Sequence, residues 1–246
     1  MAAFFATPGY NRRIEQPSSK VVENAQYTSG LARFPKTGYN PFGENRPVGK
    51  EALMDTKQRL LEMGLELLLK QGYNRTGIQE VLGAVGVPKG SFYHYFKSKE
   101  DFGVQVIEHY ASKSLLEMEA CLGQPAAPLE RLKNFFTMGR EQLKADNFSG
   151  GCLIGKLTQE MGDLNRAFER CLEKKYRAIR ERLAVCLAEA QNEGQIGQMA
   201  SAEDLADFLL NSWQGAIMRT KVAKSEAPLK QFDHMVFEEL LAPAPV

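Results

Sequence analysis

The chain has 246 residues, 43% apolar and 25% charged, the composition of a globular protein long enough for one large or two modest domains. No apolar run approaches the roughly 18 residues of a membrane-spanning helix, and Met1 to Thr7 is too short for a secretory leader, so a cytoplasmic protein with no membrane partner is expected. The net charge of +1 conceals a polarity, 14 basic against 8 acidic residues through Lys99 and 17 against 22 beyond it, so a polyanion would dock on the N-terminal part.

Residues 1–50 carry Pro8, Pro17, Pro35, Pro41 and Pro47 with scattered glycines and no sustained apolar period, which reads as a flexible arm. Its seven basic and three acidic residues suit a solvated tail or an arm on the DNA backbone. From residue 51 the pattern is helical, and no alternating run with β-branched enrichment suggests a strand. Leu60, Leu61, Leu65, Leu68 and Leu69 share a helical face, and Gly72 stands at the expected stop. Thr76 with Gln79 forms a capping-box pattern for a short helix that turns Ile78, Val81, Leu82 and Val85 inward and ends at Gly86. Pro88 suits the first turn of a second short helix. Ser98 with Asp101 caps a longer helix over about 98–122, followed by helices over about 128–146, 151–193 with a break near Gly162–Asp163, 201–223 and 228–241. There is no internal repeat.

Two short helices joined by a glycine turn, the second amphipathic and basic, predict a helix-turn-helix. In the second, Phe92 and Phe96 are four apart and would anchor it, leaving Lys89, Tyr93 and His94 to project elsewhere beside Gly90. Residues 92–96 are Phe-Tyr-His-Tyr-Phe, and one helix cannot turn all five inward. Exposed donors of this kind suit a DNA major groove and its phosphates.

The segment 54–104, with Gly72-Tyr73, Thr76, Ile78 and the run KGSFYHYFKSKE from Lys89 to Glu100, resembles the DNA-binding domain of the tetracycline-repressor (TetR) family over about a fifth of the chain. The resemblance implies an all-α fold: a three-helix DNA-binding domain over 51–100, and a ligand-binding and dimerisation domain over 101–246. It implies a homodimeric repressor of double-stranded operator DNA with inverted-repeat symmetry, released by a small-molecule inducer and needing no cofactor. It places Lys89, Gly90, Tyr93, His94 and Tyr95 at the groove, Thr76 and Lys99 on phosphates, and Phe92 and Phe96 in the core. Gly150 to Leu157, with Gln214-Gly215-Ala216, Arg219-Thr220-Lys221 and Pro228-Leu229, resembles a narrower group of N-ethylmaleimide-reductase repressors and acrylate-responsive regulators. That implies a reactive electrophile or an unsaturated acid as inducer. An activator of the same fold, or a reversible sensor of a small acid, is an alternative.

Cys152 opens a predicted helix after Ser149-Gly150-Gly151, where the helix dipole favours a thiolate, and the narrower resemblance sets Lys221 beside it. A small buried core residue is the plainer reading of the same cysteine. Cys121, Cys171 and Cys186 lie inside helices and are expected in the core, and the wide spacing of all four predicts reduced thiols. The helix 201–223 is apolar nearly all round, which predicts a dimer interface on one side and a ligand cavity on the other. Leu229, Phe232, Val236 and Leu240 form a stripe that can complete a four-helix interface. Phe135, Phe136, Met138, Tyr176 and Trp213 are candidate pocket residues, with Arg219 or Lys221 to hold an acid. An enzyme pairing Cys152 with His94, His109 or His234 has no local signature, and no His/Cys/Asp cluster has metal-ligand spacing.

Overall fold

The computed structural model describes residues 50–242, with side chains from Thr56 onward; the arm expected over 1–50, Lys50 apart, lies outside the described residues. Among the described residues the chain is all helical, as expected: nine α-helices and one π-helical turn, with no strand. Three helices form the N-terminal end: α1 (Lys50–Gln71), α2 (Ile78–Val85) and α3 (Lys89–Tyr95). The long α4 (Lys99–Leu122) leaves them; α5 (Pro128–Ala145), α6 (Leu153–Met161) and α7 (Arg166–Asn192) pack against it, α8 (Ala202–Ala223) packs on α7, and α9 (Ala227–His234) on α8.

Small residues set how closely α4 approaches its neighbours. A Cβ on Gly64 of α1 would lie 2.4 Å from Phe102 and 2.9 Å from Val106, so α1 and α4 cross where only glycine fits. Next to Phe102 on α4, a Cβ on Gly103 would meet Phe168 of α7 at 2.6 Å and Tyr73 at 2.8 Å. Tyr73 and Phe168 stack edge to face, 4.8 Å between centroids, and this contact ties the N-terminal helices to α7.

Gly72 ends α1 in the left-handed region at φ +86°, the conformation that favours glycine. The capping box expected at Thr76 is absent. Gly77 is the residue before α2 and no side chain caps it; Thr76 is buried and its hydroxyl donates to the Gly72 carbonyl at 2.6 Å. The hydroxyl therefore closes the preceding turn instead of opening the next helix. Pro88 also sits one position earlier than expected, as the extended residue before α3. Ser98 does cap α4, accepting from the Asp101 N–H at 3.1 Å.

At the break before α7, Asn165 accepts from the N–H groups of Ala167 and Phe168. The C-terminal stripe departs from expectation in one place. The last turn, Met235–Leu240, is π-helical, and its wider winding leaves Leu240 exposed while Leu241 is buried. Leu229, Phe232 and Val236 remain buried. Helix α8 is not buried on every face of the protomer: Leu205, Leu209 and Trp213 are inside, whereas Phe208, Met218 and Val222 are exposed.

Candidate functional site

Two places carry polar chemistry. The first is α3. Phe92 is fully buried and its ring lies 5.0 Å from Phe96 and 5.3 Å from Phe102 of α4; Phe96 and Phe102 are 4.9 Å apart. This triad fixes the roll of a helix of only seven residues, which on its own would not hold its shape. With Phe92 inward, Lys89, Gly90, Tyr93 and His94 face outward, and Tyr93 retains 55% of its accessible surface. Tyr95 is half-buried, its ring edge-on to His94. Arg59 of α1 donates to the Val85 carbonyl at 2.8 Å, closing α2 where the turn into α3 begins.

Two residues expected on phosphates are otherwise engaged. Thr76 is 2% exposed, with its hydroxyl proton on Gly72, so its side chain is not at the surface. Lys99 is half-buried with Nζ 4.5 Å above the Tyr73 ring, and burial pushes its pKa down while Glu160 pulls it up.

The second place is the start of α6. Cys152 is the extended residue before Leu153, and it is buried. Gly151 precedes it at φ +131°, and a Cβ there would lie 2.8 Å from Cε and 3.0 Å from Nζ of Lys221. The glycine lets the Lys221 ammonium of α8 rest against the backbone one residue from the thiol. One turn on, Gly155 does the same for α8's Gln214, whose Oε1 would stand 2.4 Å from a Cβ.

The pKa shifts around the thiol report the same proximity. Burial pushes Lys221 down, and Cys152 opposes that by favouring the ammonium. Tyr110 of α4 is fully buried and raised well above an ordinary tyrosine, first by burial, then by the charge of Cys152. Its hydroxyl also hydrogen-bonds Cys152 and Ser114 and accepts from the Leu153 backbone N–H, the first of α6. Tyr176 of α7 is raised by burial and by Cys152, against a hydrogen bond from Thr158 at 3.3 Å. One thiol, two phenols and an ammonium, drawn from four helices, thus share a corner of the core. Tyr176 also lines an open groove of about 800 Å3 between α6, α7 and α8, with Thr158, Arg180, Asp207 and Gln214.

Of the residues expected here, Cys152, Tyr176 and Lys221 come together and Trp213 and Arg219 do not. Trp213 belongs to an aromatic core with Phe136 and Phe232, ring centroids about 5 Å apart. Arg219 lines a separate groove of about 290 Å3 between α8 and α9, with Phe208, Ser212 and Met235. At about 100° per residue, Arg219 stands roughly 200° around α8 from Lys221, whereas Gln214 and Ile217 share the lysine's face. Phe135 and Phe136 are likewise core. Tyr110 and Glu160 are not among the residues expected from the sequence, and Lys156 enters there only within the Gly150–Leu157 resemblance, although Lys156 and Glu160 follow Cys152 at four-residue steps along one side of α6. The nearest histidine in sequence to Tyr110, His109, has its pKa pushed down by burial first, with Glu62 pulling it up and Lys113 pushing it down. Among the described residues no group of three or more His, Cys, Asp or Glu could hold a metal ion, and no helix is long and apolar enough to cross a membrane.

Residues 60–104 match the family model "Bacterial regulatory proteins, tetR family", and residues 128–236 match "Tetracyclin repressor-like, C-terminal domain". The chain is 39% identical to the transcriptional regulator AcuR of Cereibacter sphaeroides over 76% of its own length and 86% of that protein's. It is 37% identical to the HTH-type transcriptional repressor DhaR of Mycobacterium sp. (strain GP1), covering 75% of this chain and 92% of the relative. Among solved structures, the reduced form of NemR from Escherichia coli superposes with a TM-score of 0.71 at 29% identity, covering 78% of this chain and all of that one.

Proposed function

The chain belongs to the TetR family of bacterial DNA-binding transcriptional regulators, and from that premise we propose that it is an electrophile-responsive repressor that binds an inverted-repeat operator as a homodimer. The DNA-binding unit spans about 51–100 and the sensing and dimerisation unit about 101–246. The outward face of α3, with Lys89, Gly90, Tyr93 and His94 beside half-buried Tyr95, meets the major groove and its phosphates. A C2 dimer would present two such helices, and their separation would fix the half-site spacing. The exposed apolar edge of α8 and α9, centred on Phe208 and Met235, supports that pairing.

The single observation that carries the sensing half is Lys221 lying against Gly151, one residue from a buried thiol at the start of a helix. The Lys221 ammonium and the positive end of the α6 dipole both lie at that thiol's end of the helix. With an unsaturated acid or imide, the Cys152 sulfur attacks the β-carbon and a C–S bond forms as the thiol gives up its proton. The C=C electron pair moves toward the carbonyl, and a proton returns to the α-carbon, so nothing is released. Lys221 also suits a substrate carboxylate. The thiol's burial favours small electrophiles, which would arrive along the groove that Tyr176 shares.

The test is operator release by N-ethylmaleimide, read by mobility shift with intact-protein mass spectrometry. Wild type should gain one adduct, located on Cys152, and release the duplex. Cys152→Ser should bind the duplex and resist release. Release of Cys152→Ser at the same reagent concentration would turn the reading to reversible binding beside Lys221. Phe208→Asp should yield a folded monomer that no longer shifts the duplex.

A further inference from the structure

Helix α6 is joined to the DNA-binding end by three hydrogen bonds, one from Lys156 in its first turn and two to Glu160 in its last. Lys156 Nζ donates to the Leu69 carbonyl in the last turn of α1 at 2.6 Å. The Glu160 carboxylate accepts the Tyr73 N–H on Oε2 at 2.8 Å and the Asn74 N–H on Oε1 at 2.6 Å. Each bond answers a need of the backbone it meets. The last carbonyls of a helix lack intrahelical partners and sit at the negative end of its dipole, so a cation there is favoured. The two N–H groups leave the turn that follows α1, and a carboxylate taking both makes charge-assisted bonds to rigid main chain. Gly72 makes room for it: besides its positive φ, a Cβ at that position would lie 2.5 Å from Glu160 Oε2.

The turn so held leads directly into α2 and α3. Within it Thr76 N–H reaches the Tyr73 carbonyl at 3.2 Å and Thr76 Oγ1 the Gly72 carbonyl at 2.6 Å, so its backbone moves as a piece. Helix α6 is nine residues, about 13 Å, with Cys152 at one end and Glu160 in its last turn. Lys156 stands between the two ends: burial pushes its pKa down, Lys221 beside the thiol pushes the same way, and Glu160 pulls it up. A short rigid helix gripped at both ends transmits a shift at one end to the other.

We propose that Glu160, supported by Lys156, is a positioning residue that sets the α1–α2 turn, and hence α3, relative to α6. A change at Cys152 reaches the DNA-binding helices through this carboxylate and two backbone amides. The second statement rests on Cys152 being the sensing end; the first does not.

Glu160→Ala, Glu160→Gln and Leu187→Ala, a core truncation on α7 away from α6, are compared with wild type. The DNA is a duplex selected by the wild-type protein from a random-sequence library, and the electrophile is N-ethylmaleimide. Untreated Glu160→Ala should bind the duplex about tenfold more weakly, with the Tyr73 and Asn74 amides exchanging at least about tenfold faster. Its Cys152 should take up the adduct at the wild-type rate, yet the adduct should change its operator affinity by a much smaller factor than in wild type. Glu160→Gln, which keeps one acceptor, should fall between, and it decides the matter if the alanine variant does not fold. Leu187→Ala should lower Tm while keeping both the amide protection and the wild-type factor, which separates positioning from general loss of stability. Wild-type affinity and protection in Glu160→Ala overturn the positioning role. An unchanged factor on adduct formation overturns the coupling. If wild-type protein takes up the adduct without loosening its duplex, the thiol reading of Cys152 fails, and positioning by Glu160 is still decided by untreated affinity and amide exchange.

Discussion

The two polar sites of this protein are built in opposite ways. The face of α3 is local: Phe92, Phe96 and Phe102 lie within eleven positions of one another, and burying these rings leaves Lys89, Tyr93 and His94 outside. The Cys152 site is assembled from distance: Tyr110, Cys152, Tyr176 and Lys221 come from α4, the start of α6, α7 and α8. A local site depends on one small cluster of core side chains and exposes its working groups. A non-local site depends on how closely helices can approach, and here the approach is set by Gly151 and Gly155, against which Lys221 and Gln214 lie. The first should therefore fail by unfolding its anchor, and the second by spreading its helices while the DNA face stays intact.

Three substitutions sharpen that contrast, in decreasing order of effect. Phe92→Ala removes a fully buried ring from the anchor and should cost about 3–5 kcal/mol. Operator binding should vanish with it; urea unfolding and a mobility shift measure the two. A loss below about 1 kcal/mol would show that α3 is held by something other than its aromatic triad.

Gly151→Ala comes next. The alanine must adopt φ +131°, a region costly to any residue with a Cβ, and it displaces the end of a flexible lysine. The expected loss is about 1–3 kcal/mol. Operator affinity in untreated protein should hold, while adduct formation at Cys152 slows because Lys221 no longer rests beside it. Rates by mass spectrometry check this, and an unchanged rate would mean that the ammonium does not assist the thiol.

The smallest effect belongs to Lys89→Ala on the exposed face. Stability should move by no more than about 0.5 kcal/mol. Operator affinity should fall, and the slope of log K against log salt should become shallower by about 0.9, the share of one neutralised phosphate. Fluorescence anisotropy over a salt series reads both, and an unaltered slope would take Lys89 off the DNA backbone.

Helix order and the α3 motif were legible because each depends on periodicity and on residues close in sequence. The break near Gly162, the Ser98 cap and the glycine stop at Gly72 are of this kind. Thr76 misled because Thr-x-x-Gln is a local pattern with two uses. The hydroxyl can serve the helix ahead or the carbonyl behind, and here the buried Gly72 carbonyl took it. Trp213 and Arg219 misled for a related reason. On a helix apolar nearly all round, the pattern does not mark which face meets which neighbour, and α8 meets Gly151 and Gly155 at the start of α6 with Gln214, Ile217 and Lys221.

The sequence by itself determined that the chain is helical, where its helices break, and which short helix turns donors outward, since those follow from backbone propensity and side-chain spacing. Only the tertiary structure decided which groups share a site. Tyr110 meets Cys152 across two helices, and Glu160 meets the amides of Tyr73 and Asn74 across more than eighty positions. Neither pairing leaves a periodic trace, because each rests on the packing distance between helices and on buried backbone groups that must find a partner.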